Sequence, residues 1–537
     1  MESYAQGETT PPLLEQTIGQ NFEATVARHP DREALVEVAS GRRWTWAELD
    51  RDVDALAIGL RRAGIGKGDR VGIWSPNCAE WTLTQFATAK IGAILVNVNP
   101  AYRTHELAYA LQQSGTKLLI SASEFKTSDY RGMVEQVRGA CPDLEQVWFL
   151  DSPEWTDHNV HDPGVTLLEL LDYRLLPEDP INIQYTSGTT GRPKGATLSH
   201  RNILNNGFFT TELIEFTEQD RLCIPVPFYH CFGMVMGNLG CVTHGATMII
   251  PAPAFDPTIT LRTIAEERCT AVYGVPTMFI AMQNAPDFAS YDLSSLRTGI
   301  MAGSICPVEV MKHCIDDMHM AGVSICYGMT ETSPVSTQTR ADDEIDRRTT
   351  TIGRVHPHVE VKVADPVNGE TVERGEPGEL RTRGYSVMLG YWQEPDKTAE
   401  AIDADGWMHT GDLAVMREDG YATIVGRIKD MVIRGGENIY PKEIEDFLYT
   451  HPDIEDVQVV GVPDQKYGEE LCAWVKVKSG RPPLDADAVR AFATGRLAHY
   501  KIPRYVMVVD EFPMTVTGKV RKVEMREKAT ADLGLDL

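Results

Sequence analysis

Between residues 45 and 120 helical and strand patterns alternate, and such a chain is confined to stacked α/β layers with parallel strands. Thr45 and Glu48 form a T-x-x-E capping box, after which Leu49, Val53, Leu56, Ala57 and Leu60 recur on one helical face. Gly64 is placed to stop that helix, and Arg70–Trp74 reads as the next strand. A second helix around Glu106–Gln112 leads into a strand over Lys117–Ile120. Residues 125–175 carry few signals and stay unassigned, and no internal repeat is present. The 537 residues leave room for one large folding unit and a smaller one.

Composition narrows the partners. The chain has 77 acidic against 51 basic residues, a formal net charge of −26, which argues against a nucleic-acid partner. Its ten cysteines contain no C-x-x-C pair and read as scattered thiols of a reducing cytoplasm. The N-terminal stretch lacks the basic and apolar regions of a signal peptide. Apolar runs such as Ile91–Val98 fall far short of the roughly 20 residues that span a bilayer. The expectation is a cytoplasmic protein without a transmembrane segment; the oligomeric state, homo-oligomer included, stays open. His356 and His358, two residues apart, read as packing residues, and no H-E-x-x-H occurs.

The most informative segment is Tyr185-Thr-Ser-Gly-Thr-Thr-Gly-Arg-Pro-Lys194-Gly195, which follows the strand-like Ile181–Tyr185. Gly188, Gly191 and Gly195 let the backbone turn tightly, while Thr186, Ser187, Thr189 and Thr190 add hydroxyls and Lys194 a mobile positive charge. With exposed N–H groups this makes a cradle for polyphosphate oxygens, although taken alone it also describes a flexible surface loop. It is not a Walker A loop, because G-x-x-x-x-G-K-[ST] is unmatched. Four further segments stand out: Met301-Ala-Gly303-Ser304, Tyr327-Gly328-Met-Thr330-Glu331, the pair Asp412 and Arg427 fifteen residues apart, and Pro513-Met-Thr-Val-Thr-Gly-Lys519.

From about residue 20 to residue 526 these segments resemble, in order, the motifs of the adenylate-forming superfamily: acyl-CoA synthetases, adenylation domains and firefly luciferase. The resemblance implies an ATP site built from Thr186, Ser187, Gly188, Thr189, Thr190, Gly191, Lys194, Gly303, Ser304, Tyr327, Gly328, Thr330, Asp412, Arg427 and Lys519. Within it Tyr327 stacks on adenine, Thr330 holds an α-phosphate oxygen, Glu331 ligates Mg²⁺, and Asp412 and Arg427 reach the ribose. Lys519 enters during adenylation to bridge carboxylate and α-phosphate, where charge builds in the transition state. Lys519, Thr330, Glu331, Lys194 and His230 form the implied catalytic set. Lys429 falls at the family's hinge, and Arg434, Gly435 and Gly436 at its coenzyme A face.

The same resemblance sets the expected architecture: a large N-terminal α/β domain with parallel and mixed sheets, residues 1–427, and a small mobile α+β domain, residues 428–537. An independent composition shift supports that boundary, since from Ile428 onward 16 basic residues nearly balance 19 acidic ones. Residues 501–528 are locally basic and read as meeting the phosphates of ATP or coenzyme A. The acyl pocket is expected from His230, Phe232, Gly233, Met236, Tyr273, Gly274 and Val335. No aspartate stands near His230 to pair with an ammonium, which disfavours an amino-acid substrate. Small residues after His230, such as Gly237 and Gly240, leave two readings open: an acyl channel, or a buried helix packed through its glycines. The reading is a medium- to long-chain fatty acyl-CoA synthetase using MgATP and coenzyme A, with details resembling the medium-chain branch. The alternatives are an aryl-acid ligase, an acyl-AMP ligase loading a carrier protein, and a non-catalytic sensor.

Overall fold

The computed structural model describes every residue except 163, 187–192, 305, 435–436, 483, 495, 515–519 and 536–537, and only the backbone of 437 and 438. The chain is mixed α/β and forms two compact units. The larger comprises Ala5–Val361 and Thr382–His409; the smaller comprises Met1–Tyr4, Lys362–Arg381 and Thr410–Leu537.

The capping box forms as read. The Thr45 hydroxyl accepts from the Glu48 N–H (3.2 Å), and the Glu48 carboxylate accepts from the Thr45 N–H (2.9 Å), starting the helix Trp46–Arg62. Leu49, Val53, Leu56, Ala57 and Leu60 are all buried, and Gly64 takes φ +82° just beyond the helix. Arg70–Trp74 lies between Ile94–Asn97 and Leu118–Ser121, parallel to both. They belong to a seven-stranded sheet whose other strands are Gln146–Phe149, Pro180–Thr186, Lys194–Ser199 and Gly390–Tyr391. Pro180–Thr186 runs parallel to Ile94–Asn97, and Lys194–Ser199 returns antiparallel to it. The unassigned region supplies the edge strand Gln146–Phe149 and short helices including Tyr130–Arg138.

A nine-stranded sheet forms the other wall of the larger unit. At its centre Arg221–Cys223, Ala271–Gly274, Thr298–Ala302 and Gly322–Gly328 run parallel, with Val335–Gln338 antiparallel beyond them. One continuous apolar cluster, from Ile18 to Met408, takes in residues of both sheets, and further strand residues pack in separate clusters. The smaller unit has its own core, in which the antiparallel strands Ile454–Asp464 and Gly468–Val477 pack on the helices Pro441–Tyr449 and Ala486–Ala493. No helix among the described residues is long and apolar enough to cross a membrane.

Candidate active site

In the nine-stranded sheet, register pairs Gly274 with Met301 and Ala302 with Cys326, so the chain leaves three neighbouring strands at Gly274, Gly303 and Gly328. The carboxyl ends of parallel strands are where open α/β sheets bind ligands. Two of these exits require glycine. Gly303 has φ +93°, and a Cβ at Gly328 would stand 1.7 Å from the Pro334 carbonyl oxygen. Ser304 is exposed and Tyr327 half-buried at this rim.

Glu331 follows in the buried 3₁₀ turn Thr330–Thr332 and reaches the seven-stranded sheet. Its Oε1 accepts from the Thr186 hydroxyl (3.3 Å) and from the Tyr391 hydroxyl (2.9 Å). The Lys194 Nζ lies 4.5 Å from the centroid of the Tyr391 ring. Glu331, Thr186 and Lys194, 145 residues apart at the extremes, are thereby brought to one place, with Thr330 beside them. Burial, and after it the Glu331 charge, hold the Tyr391 phenol well above its ordinary pKa, so it donates. Both bonds land on Oε1; Oε2 has no hydrogen bond among the described residues. A lone carboxylate with hydroxyls around it suits Mg²⁺, which is held by one or two carboxylates plus substrate phosphates. Ser187, Gly188, Thr189, Thr190 and Gly191 lie outside the described residues.

The expected acyl-pocket residues Phe232, Met236, Tyr273 and Val335 belong to one buried cluster, with Phe232 stacked on Tyr273 (centroids 5.7 Å apart). The Tyr273 hydroxyl is fully buried and has no hydrogen-bond partner among the described residues. Gly233 packs against backbone, a Cβ there meeting the Pro227 oxygen at 2.4 Å; Gly237 faces Ile224 and Gly240 faces Thr211. These glycines therefore pack a buried helix closely. His230 is half-buried where the chain enters that helix, and a buried polar chain fixes its surroundings. Gln184 Nε2 donates to Asn182 Oδ1 (2.8 Å), Asn182 Nδ2 to Asn97 Oδ1 (2.9 Å) and Asn97 Nδ2 to the Tyr229 carbonyl (3.0 Å). The Cys231 thiol donates to Gln184 Oε1 (3.2 Å).

In the smaller unit Asp412 and Arg427 face each other across the antiparallel pair Met408–Met416 and Ala422–Arg427. Arg427 Nε donates to Asp412 Oδ1 at 3.0 Å, so the fifteen-residue spacing is a hairpin pairing. Lys429 is exposed in the turn Ile428–Asp430. Arg434 donates to the buried Glu470 carboxylate (2.7 Å) and covers the Tyr467 ring. Gly435, Gly436 and Lys519 lie outside the described residues; Met514 and Val520, on either side of Lys519, form an antiparallel bridge. Much of the basic stretch is spent inside the unit. Lys501 pairs with Glu443, Arg504 with Asp464, Lys522 with Glu445 and Arg526 with Glu469.

The sequence reading missed Tyr391 and the Asn97–Asn182–Gln184 chain. Asparagine and glutamine inside strands were the available signal for the latter, since buried amides need partners.

Residues 22–392 match the family model described as AMP-binding enzyme, and residues 443–519 match the AMP-binding enzyme C-terminal domain. The chain belongs to the AMP-binding enzyme family. Among its relatives in this family is YngI, a candidate acyl-CoA synthetase of Bacillus subtilis (strain 168), 50% identical over 96% of this chain and 97% of its own. The mitochondrial medium-chain acyl-CoA ligase ACSF2 of Danio rerio is 46% identical over 99% of this chain and 91% of its own. Among solved members, ATP-bound MatB from Rhodopseudomonas palustris superposes with a TM-score of 0.86, at 29% identity, covering 96% of this chain and 99% of that one. As an adenylate-forming member of the family, the protein activates a carboxylic acid with ATP.

Proposed function

We propose that the acid is a medium-chain fatty acid and that the acceptor is coenzyme A, making the protein an AMP-forming fatty acyl-CoA synthetase. The observation that carries this reading is the meeting of Glu331, Thr186 and Lys194 at the carboxyl ends of the strands, together with the buried apolar side chains of the candidate acyl residues Phe232, Met236 and Val335. Identity to a medium-chain acyl-CoA ligase over nearly the whole chain supports the acid and the acceptor.

A carboxylate oxygen attacks the α-phosphorus of MgATP, pyrophosphate leaves, and an acyl-adenylate forms. The coenzyme A sulfur then attacks the acyl carbon, the thiol proton is released, and AMP leaves. Mg²⁺, bound with ATP, supplies charge neutralisation at the phosphates, and Glu331 with Thr186 nearby is the group of this chain suited to hold it. Lys194 neutralises phosphate charge, Thr330 donates to an α-phosphate oxygen, and Tyr327 stacks on adenine above Gly303 and Ser304. Asp412 accepts from the ribose hydroxyls, which requires Arg427 to yield part of its present hold on that carboxylate. Lys519 serves adenylation. Movement of residues 428–537 about Lys429 then brings Arg434, Gly435 and Gly436 into use for the thiol, keeping water from the mixed anhydride. The apolar side chains of Phe232, Met236 and Val335 suit an alkyl chain better than a charged acid.

The test is a series from acetate through palmitate, with benzoate, incubated with ATP, Mg²⁺ and coenzyme A and resolved by chromatography. Acyl-CoA and AMP are expected, with the highest kcat/KM at medium chain lengths. Acyl-AMP accumulating without acyl-CoA would identify a carrier-protein acceptor, and a preference for benzoate would identify an aryl-acid ligase.

A further inference from the structure

Tyr391 is in contact with two of the charged groups proposed to serve ATP. Its hydroxyl donates to Glu331 Oε1 at 2.9 Å, and its ring face lies under the Lys194 ammonium at 4.5 Å. Among the described residues Lys194 and Glu331 form no ion pair with each other. An ion pair between them would take both charges from a ligand; here each leans on a different part of one neutral side chain.

The ring is fixed from several directions. Tyr391 is 6% exposed. Its short strand pairs antiparallel with Lys194–Ser199, Tyr391 opposite Ala196, so the ring sits beside the chain just after the phosphate-loop lysine. The Tyr391 N–H donates to Thr398 Oγ1 (2.8 Å), and the Trp392 N–H donates to the Gly195 carbonyl (2.7 Å). On the other side the Met388 N–H donates to the Glu331 carbonyl (2.9 Å), tying the same segment to the turn that carries the carboxylate. Gly390 has φ +142°, and a Cβ there would meet Thr398 Cγ2 at 2.7 Å, so only glycine lets the segment approach.

Resting on the MgATP reading above, we infer that Tyr391 is a positioning residue: its hydroxyl orients Glu331 to leave Oε2 for the metal of MgATP, and its ring keeps Lys194 unpaired for the phosphates. Partners behind a metal-ligating group are typically worth 10- to 100-fold in metal affinity.

Tyr391→Phe keeps the ring and its packing and removes only the hydroxyl; Tyr391→Leu removes both. Binding of a non-hydrolysable ATP analogue is followed by calorimetry with and without Mg²⁺, beside fatty-acid-dependent pyrophosphate exchange. In Tyr391→Phe the Mg²⁺ needed for half-maximal analogue binding rises about 10-fold or more. Its metal-free binding and its KM for the acid stay at wild-type values. Tyr391→Leu also weakens metal-free binding. Wild-type Mg²⁺ dependence in a folded Tyr391→Phe protein would overturn the assignment, and that variant decides alone if Tyr391→Leu does not fold. A wild-type protein that binds the analogue with Mg²⁺ but exchanges no pyrophosphate would overturn the adenylation reading while leaving Tyr391 testable by the calorimetry. One that binds no nucleotide would overturn both.

Discussion

His200, the first residue of a helix buried in the larger unit, accepts the Ile18 N–H through Nδ1 at 3.1 Å and is fully excluded from solvent. Burial pushes its pKa down from 6.5 to about 3. The unfolded chain therefore binds a proton near pH 6.5 that the folded chain refuses until about pH 3. Stability is lost as pH falls through that window, by up to ~1.4 kcal/mol per pH unit from this group. His200→Gln keeps an acceptor without the titration; in urea unfolding the stability gap between pH 7 and pH 5 should shrink by about 2 kcal/mol, and an unchanged gap would refute the assignment. Lys90 makes the opposite kind of buried site. Its Nζ lies 2.6 Å from both Asp50 and Asp54, with 2% of its side chain exposed. Lys90→Met leaves those carboxylates facing each other and should cost about 3 kcal/mol, the low end for a broken buried pair because both aspartates are partly solvated. The Arg427–Asp412 pair, to which the proposed mechanism assigns the ribose, is half-exposed on its arginine side and contributes little to folding. Asp412→Asn should therefore raise the KM for ATP at least 10-fold while shifting the melting temperature little.

Elements whose cause is local could be read from the chain. The helix Trp46–Arg62 carries its own capping box and apolar stripe, and Arg70–Trp74 and Pro180–Thr186 sit within a residue or two of their expected bounds. Elements whose cause is distant could not. Phe232–Leu239 is a π-helix, and nothing in those eight residues announces it. Its wide turns are met by side chains from the helix Ala79–Ile91: Gln85 Nε2 donates to the Met234 carbonyl (3.0 Å), and Asn238 Nδ2 donates to Gln85 Oε1 (2.9 Å). Such π segments occur mostly where function demands an unusual register. Gln85→Leu removes the amide donor to the Met234 carbonyl and the shorter of the two bonds of Asn238 Nδ2, the other running to Thr82 Oγ1 (3.5 Å), and should destabilise the protein by about 2 kcal/mol in urea unfolding. Tyr391 was illegible for the same reason, since its partner Glu331 is 60 residues away. The short elements of 124–170 failed for another: strands of two to four residues hold too few positions to show a period.

For the whole molecule, the basic stretch 501–528 illustrates how far charge counting reaches. Its excess marked a unit of different composition, yet most of its cations neutralise acids of that unit, leaving Lys519 as the residue to which the proposed mechanism assigns a substrate role. Domain alternation makes a separable prediction. Lys519→Ala should slow adenylation by ~3 kcal/mol or more at the transition state, yet spare thioester formation from supplied acyl-adenylate. Equal loss of both half-reactions would contradict it.

In the adenylation step a carboxylate oxygen attacks the α-phosphorus of ATP. Octanoate labelled with ¹⁸O in its carboxylate, turned over with ATP, Mg²⁺ and coenzyme A, tests it most directly by mass spectrometry of the products. One labelled oxygen should appear in each AMP and none in pyrophosphate; unlabelled AMP, or label in orthophosphate, would rule this step out.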